Sequence, residues 1–331
     1  MKTVAAQHGH ILVLDKEPPA LLPGHVIVRT EFSAISPGTE LSMAKASKER
    51  SVYLGYSAVG IVQEVGDEVQ GLQPGQRVAC YGAPYVHHAE LMSVPANLAA
   101  AVPEHVRPEE AALAGLGAIA VHAHRIADLR FGESVVVVGL GILGNLIAQI
   151  ANAGSMVTYG YDLNPHRTSL LQNCGVRHAY GEREALEKQI AEQSRGVGVD
   201  CVMLCASGSG QTLINDAMHW LRDRGKVVIV GDITAEFSRS LMFQKEAQVL
   251  ISRAGGPGRY DASYERNNQD YPIGYVRWTE GRNIGEYVRL LADRRIQAAP
   301  LLTGTYPLEQ AQEAYAGYSK DGNIIGTLLQ Y

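Results

Sequence analysis

Long apolar runs are missing from this chain. No stretch of about 18 consecutive apolar residues occurs, so a membrane-spanning helix is not expected. The opening M-K-T-V-A-A-Q-H-G-H lacks the apolar core of a secretory leader, which points to a cytoplasmic, reducing setting. Cysteine is scarce, with four in 331 residues (Cys80, Cys174, Cys201 and Cys205). Cys201 and Cys205 lie within one apolar segment, so buried thiols are expected there rather than a disulfide or a metal pair. There is no basic run, and the net charge is −5, which argues against nucleic acid as a main partner. Internal repeats and low-complexity tracts are absent as well. What remains is an ordinary globular composition, 46% hydrophobic and 19% charged, in a chain long enough for two cores.

The most informative stretch is 135–144, V-V-V-V-G-L-G-I-L-G. Four consecutive β-branched valines suit a strand buried on both faces of a parallel sheet. The strand runs into a full G-x-G-x-x-G. Gly139 makes the tight turn, Gly141 lets the backbone approach a pyrophosphate, and Gly144 lets the following helix pack on its strand. Ile142 and Leu143 lie at the helix N-terminus, whose N–H groups and positive dipole end favour phosphate. A second strand, 156–161, ends at Asp162, which lies 162 − 144 = 18 residues past the last glycine. That spacing suits the carboxylate that accepts hydrogen bonds from the adenosine ribose and repels a 2′-phosphate, so NAD is preferred to NADP. Arg167 and His166 follow closely and soften that preference.

Before this motif, residues 1–100 read as short strands between Pro/Gly turns, at 26–30, 60–65 and 77–81, which suggests a barrel-like β module. Residues 108–127 read as one helix, with Glu109 and Glu110 in its first turn. From 134 to 252 strands (134–138, 156–161, 199–205, 226–230, 248–252) alternate with helices such as 210–221, the pattern of a doubly wound parallel sheet. Residues 253–280 are rich in Arg and Tyr and fit neither pattern, which marks them as a functional segment. A helix (283–293), a strand (301–306), a helix (308–318) and a last strand (323–330) close the chain.

Taken together, these features resemble the medium-chain dehydrogenase/reductase superfamily, the zinc alcohol dehydrogenase-like proteins. The resemblance rests on P-G-H-V-I-V-R-T-E-F-S-A-I-S-P-G-T-E (23–40), G-Y-S-A-V-G-I-V-Q-E-V-G (55–66), P-G-Q-R-V (74–78), the dinucleotide motif and P-L-E-Q-A-Q-E-A-Y (307–315). It implies an α/β protein: a doubly wound Rossmann cofactor domain, 118–253, and a split, mainly β, GroES-like catalytic domain, 1–117 and 254–331. It also implies a homodimer paired through the edge strand near 248–252. The catalytic zinc ligands of this superfamily fall at Ser36, Tyr56 and near Gly115, where a hydroxyl, a phenol and a glycine replace thiolate, imidazole and thiolate. The four-cysteine structural zinc lobe is absent too, so no metal is expected. His87, His88, His122 and His124 read as structural or surface residues rather than as a substitute site. The segment 258–283 resembles a zinc-lacking subgroup found in sugar and secondary-metabolite pathways. Some of its members are fused to a second oxidoreductase, which here would be a separate protein and a partner.

Without zinc, hydrogen-bond donors and a general acid/base must polarise the carbonyl and manage one proton. Tyr56 stands at a ligand position, and an adjacent cation, Arg259 or Arg277, would be needed to make its phenol a base near neutral pH. The resemblance places Thr39 and Glu40 at a proton-relay hydroxyl and a supporting carboxylate, with Ser36 beside them. Tyr56 filling the vacated metal space and Glu40 bracing structure are the plainer alternatives. Arg259, Tyr260, Tyr275 and Arg277 suggest a polar, hydroxylated or anionic substrate. Three functions stay open. The first is a zinc-independent NAD(H) oxidoreductase interconverting a secondary alcohol and a ketone on a sugar- or cyclitol-like molecule. The others are a zinc-independent quinone or enoyl reductase and a non-catalytic NAD(H)-binding subunit.

Overall fold

The computed structural model describes residues 1–208 and 210–331 and divides into two compact units. The first is Met1–Ala118, Gly255–Arg294 and Ala298–Tyr331; the second is Ile119–Ala254 with Arg295–Gln297.

In the second unit, six strands form one parallel sheet among the described residues. Across the sheet they run His178–Tyr180, Val157–Tyr161, Ser134–Val138, Val199–Leu204, Leu221–Ile229 and Gln248–Ile251. Counted along this unit, the order is 3-2-1-4-5-6, that of dinucleotide-binding sheets. Val135, Val136 and Val137 are fully buried at its centre, as an unbroken apolar run requires. The order reverses beside Ser134–Val138, so the glycine motif opens at the switch point. Strand 226–230 is longer than its apolar core suggests and begins at Leu221, directly after the helix Gly210–Trp220. The described cysteines are thiols, three of them buried and Cys205 partly so.

The first unit is built on a seven-stranded sheet and a separate three-stranded one. His25–Ala34 is its central element, paired antiparallel with Ser57–Val65, with Leu91–Pro95 and with Gly326–Gln330. Val26, Val28, Ala58, Val62, Val78 and Met92 fill the interior, and Tyr264 from the return segment packs among them. A second cluster, Val4, Ile35, Ala44, Leu54, Ala311, Tyr315 and Leu329, packs two helices onto strands of both sheets.

Two helical expectations need correction. Residues 1–100 are not all strand: Pro37–Ala46 is a helix that follows the strand His25–Ala34. Ser36 at its N-cap, Pro37 in the first turn and Glu40 just behind are its start signals. Its near-absent amphipathic pattern hid it, because it buries only Glu40 and Ala44. Residues 108–127 are two helices, Pro108–Ala111 and Ala114–Ala127.

The longer of these allows a stability test. A Cβ on Gly117 would lie 2.1 Å from Cγ of the fully buried Tyr287 ring. Gly117→Ala is expected to destabilise by about 1–3 kcal/mol, the usual cost of overpacking. A Cβ on Gly285, in the partner helix Glu280–Ala292, meets nothing within 4 Å. Gly285→Ala is therefore expected to be neutral or to stabilise by up to about 1 kcal/mol through helix propensity. Urea unfolding of both variants checks the contrast.

Candidate active site

The second unit presents a cradle whose shape fits a dinucleotide. Gly139 has a φ of 87°, and a Cβ there would fall 2.8 Å from the Ala206 nitrogen. A Cβ on Gly144 would lie 1.8 Å from the Gly139 carbonyl oxygen, so the helix Ile142–Ala153 approaches its loop only without one. At Gly141, the N-cap, a Cβ would meet nothing within 4 Å. That open space adjoins the helix N-terminus. The first intrahelical bond runs from the Asn145 N–H to the Gly141 carbonyl at 2.9 Å, so the N–H groups of Ile142, Leu143 and Gly144 lie ahead of the ladder, where a pyrophosphate would accept them.

Asp162 ends the neighbouring strand and is buried. Its Oδ2 accepts the Leu140 N–H at 2.7 Å and its Oδ1 the Asn164 N–H at 2.8 Å, which ties the strand end to the glycine loop. Oδ2 also accepts from Arg167 Nη1, so Oδ1 is the oxygen that keeps a further acceptor direction for a ribose hydroxyl. Arg167 Nη1 lies 3.4 Å from Oδ2. The His166 N–H is taken by the Asn164 side chain, which caps the next helix.

In the first unit, Ser36, Thr39, Glu40 and Tyr56 come together. The Tyr56 hydroxyl donates to Ser36 Oγ, and the Thr39 hydroxyl also reaches the phenol. Glu40 is fully buried and anchored three ways. Its Oε1 accepts the Ser36 backbone N–H at 2.7 Å, a reach back to the helix N-cap. Its Oε2 accepts the Tyr315 hydroxyl and His88 Nε2–H, the latter at 2.9 Å. A carboxylate can only accept, so His88 must carry its proton on Nε2. With Nε2 facing Glu40, His88 Nδ1 lies 2.6 Å from Ser33 Oγ. Ser33 in turn sits 2.7 Å from the Tyr331 hydroxyl. The result is a continuous buried chain, Tyr331–Ser33–His88–Glu40, ending at the Ser36 backbone.

The expectation that a neighbouring cation turns Tyr56 into a base does not hold. Arg259 Nη1 donates to Glu265 and its Nη2 to the Ala83 carbonyl at 2.7 Å. Arg277 is exposed and lies over the Trp278 ring, 4.1 Å from its centroid. Burial instead pushes the Tyr56 phenol up to about 12, and the Glu40 charge adds to this, while the Ser36 and Thr39 hydroxyls oppose it. Tyr56 is therefore a proton donor throughout the neutral range. Donating to Ser36 Oγ, it polarises that oxygen and makes the Ser36 O–H a stronger donor.

The return segment is less uniform than its composition suggests. Tyr260 is exposed over the Arg259 guanidinium, and Tyr275 is 91% exposed. Tyr264 is buried and stacks on Tyr271 with centroids 5.5 Å apart. Sequence reasoning missed His88 and Tyr315 as partners of Glu40, and Tyr81, which meets the Tyr56 ring edge-on at 5.8 Å. Their one local signal was the pairing of two adjacent histidines with a short turn, which does not point to Glu40.

The residues that the resemblance sets at metal positions, Ser36, Tyr56 and Gly115, do not suit zinc. Ser36 Oγ is taken up by Tyr56, and a phenol raised to about 12 resists becoming phenolate. The Gly115 N–H donates to Ser57 Oγ at 2.8 Å, and a Cβ at Gly115 would lie 2.8 Å from both Ser57 Cβ and Tyr81 Cδ2. No group of three or more His, Cys, Asp or Glu side chains able to hold a metal ion occurs among the described residues.

Residues 22–128 match the alcohol dehydrogenase GroES-like domain, and residues 129–267 match the zinc-binding dehydrogenase domain. The probable D-xylulose reductase A of Aspergillus terreus is 25% identical over an alignment of 355 residues, covering 95% of this chain and 93% of its own length. The L-threonine 3-dehydrogenase of Chelativorans sp. is 29% identical over 267 residues, 69% of this chain and 75% of its own. In fold, the galactitol-1-phosphate dehydrogenase of Escherichia coli aligns over the whole of both chains, with a TM-score of 0.81 at 19% identity. With a GroES-like module followed by a 3-2-1-4-5-6 cofactor sheet, the chain belongs to the zinc alcohol dehydrogenase-like, medium-chain dehydrogenase/reductase superfamily of NAD(P)-dependent oxidoreductases.

Proposed function

We propose that this protein interconverts a secondary alcohol and a ketone on a polar, sugar- or cyclitol-like molecule, using NAD(H) and no zinc. The observation that carries this reading is the hydroxyl cluster Ser36–Tyr56–Thr39, held where relatives place a metal and backed by the buried Glu40 carboxylate. The bound nicotinamide supplies or accepts the hydride. The chain must then stabilise the developing oxyanion and move one proton. Ser36 donates its O–H to the substrate oxygen, and Tyr56 strengthens that donor. Glu40 holds the Ser36 backbone in place through its N–H. Such positioned donors do the work a Lewis acid would otherwise do. The names of the two curated relatives, a xylulose reductase and a threonine 3-dehydrogenase, support a small hydroxylated substrate. Asp162 supports NAD, because its charge repels a 2′-phosphate. The strand Gln248–Ile251 lies at a sheet edge, which supports pairing with a second copy there.

Tyr56→Phe removes the polarising proton and is expected to lower turnover of polyols or ketones about 10²-fold, the contribution of a positioned acid. Ser36→Ala is expected to cost about 10²–10³-fold, as for loss of an oxyanion donor. A panel of polyols, sugars, ketones, quinones and enones, followed by NADH absorbance, checks both. Turnover confined to quinones or enones would replace this reading with the C=C reductase. NADH binding without turnover would favour the non-catalytic subunit. Elemental analysis is expected to find well under one zinc per chain, and activity is expected to survive a strong chelator.

The cofactor assignment has its own test. Gly141→Ala adds a methyl in open space at an ordinary φ of −62°, so the melting temperature should stay unchanged. NADH affinity is expected to fall about tenfold or more, since the methyl stands where the phosphates approach the helix end. Asp162→Ala is expected to weaken NADH more than NADPH. Fluorescence titration with both cofactors decides, and equal weakening of the two would contradict the role given to Asp162.

A further inference from the structure

The return segment carries two buried acids that neither the hydroxyl cluster nor the glycine loop uses. Glu280 opens the helix Glu280–Ala292 and has no solvent exposure. Neither of its carboxyl oxygens meets a donor. Glu265 ends the single turn Ala262–Glu265 and is 6% exposed. It is already matched, accepting from Arg259 Nη1 and from the Tyr260 N–H at 3.2 Å. Glu265 is also the group within hydrogen-bond reach of Glu280. The charge count is thus two carboxyls to one guanidinium.

An ionised carboxylate shut away from solvent with no protein donor is costly, and two adjacent carboxyls do not both ionise. As an acid, Glu280 has what it lacks as a carboxylate, because its O–H can donate to Glu265. The groups facing it are few. Glu265 and Arg259 come from the loop. Tyr81 comes from the strand Arg77–Tyr81, and Tyr264 and Tyr271 from the return segment; their phenols are raised, Tyr81 and Tyr264 chiefly by burial and Tyr271 chiefly by its bond to Asp261, and so are neutral. Glu280 Cβ and the Tyr81 ring close on either side of Gly255, where a Cβ would lie 3.0 Å from the first and 2.5 Å from the second. Arg259 then links this pair to the reaction centre. Its Nη2 holds the Ala83 carbonyl, its guanidinium lies 5.9 Å from the Tyr81 ring centroid, and Tyr81 abuts Tyr56.

We propose that Glu280 and Glu265 share one proton, and that this proton lets Arg259 keep its hold on Ala83 and Tyr81, which makes Glu280 a positioning residue for the Tyr56 hydroxyl cluster. The link to catalysis rests on the function proposed above; the shared proton does not. When the proton leaves, two carboxylates compete for Arg259, and the 255–265 loop loosens from the barrel.

Burial first, and then the Glu265 charge, push the Glu280 carboxyl up to about 8, with Arg259 opposing. The sign follows. A folded-state value above the ordinary carboxyl range gives stability that is complete below about pH 4.5 and is lost as pH rises through about 8.

Infrared difference spectroscopy of wild type against Glu280→Gln tests the proton. At about pH 6.5 the carbonyl stretch of a protonated carboxyl is expected in wild type and absent from the variant, and it should titrate away by about pH 9.5. Glu265→Gln is expected to abolish the band at neutral pH, because Glu280 then takes over Arg259. Hydrogen exchange tests the positioning. After correction for intrinsic rates, amides of 81–83 and 255–265 are expected to lose about tenfold more protection between those pH values in wild type than in Glu280→Gln. Turnover should fall over the same range in wild type and hold in Glu280→Gln. No carboxyl band at pH 6.5 would overturn the shared proton. A band with identical exchange and pH profiles in the two proteins would overturn the positioning role. A band and an exchange difference in a protein that turns over nothing would leave the shared proton and its hold on the loop standing and sink the proposed reaction instead.

Discussion

A single buried carboxylate organises the first unit. Glu40 has no access to water, so every lone pair it presents must be met from within the protein. The donors come from separate parts of the chain: the Ser36 backbone on its own helix, His88 from a loop, and Tyr315 from a helix near the end of the sequence. Removing any one would leave a buried charge short of a partner, which costs more than the bond itself contributes. The helix Pro37–Ala46, the His88 loop and the C-terminal helix are therefore constrained to meet at one point. The apolar cluster Ile35, Ala44, Leu54, Ala311 and Leu329 surrounds that meeting and supplies the burial that makes it strict.

In the proposed zinc-independent reaction, the same constraint holds the hydroxyls in place. A zinc site places a cation where an oxyanion develops. Here the equivalent place holds hydroxyls with their protons in position, and the negative charge of Glu40 lies behind them. Burial first, and then that charge, keep Tyr56 protonated. The geometry favours donating a hydrogen bond to a substrate oxygen over binding an anion tightly at rest. Electrostatic preorganisation of this kind needs rigid donors, which the Glu40 network provides.

The return segment shows the limits of composition as a guide. Its tyrosines and arginines suggested one substrate-binding patch, yet they separate by environment. Tyr264 enters the barrel core, Tyr275 stands in solvent, and Arg259 is tied to Glu265. Glu265 and Glu280 drew no attention in the sequence, since acids at helix ends are ordinary. Their importance comes from burial beside each other, which no local pattern encodes.

The strand, glycine turn and helix at 134–153 were legible from the chain alone because their parts are covalent neighbours. Gly139, Gly141 and Gly144 act within six residues, and the strand, turn and helix that give them meaning are continuous with them. The expectation of no zinc likewise rested on single positions, Ser36, Tyr56 and Gly115, each read from the chain alone. The partners of Glu40 could not, since His88 lies 48 positions away and Tyr315 lies 275 positions away. Neither could the protonation of Tyr56. Its direction follows from burial and from Arg259 being engaged elsewhere, and both are set by how distant segments pack. Local backbone chemistry is written in consecutive residues, whereas the desolvation and pairing of charges arise only once the chain has closed around them.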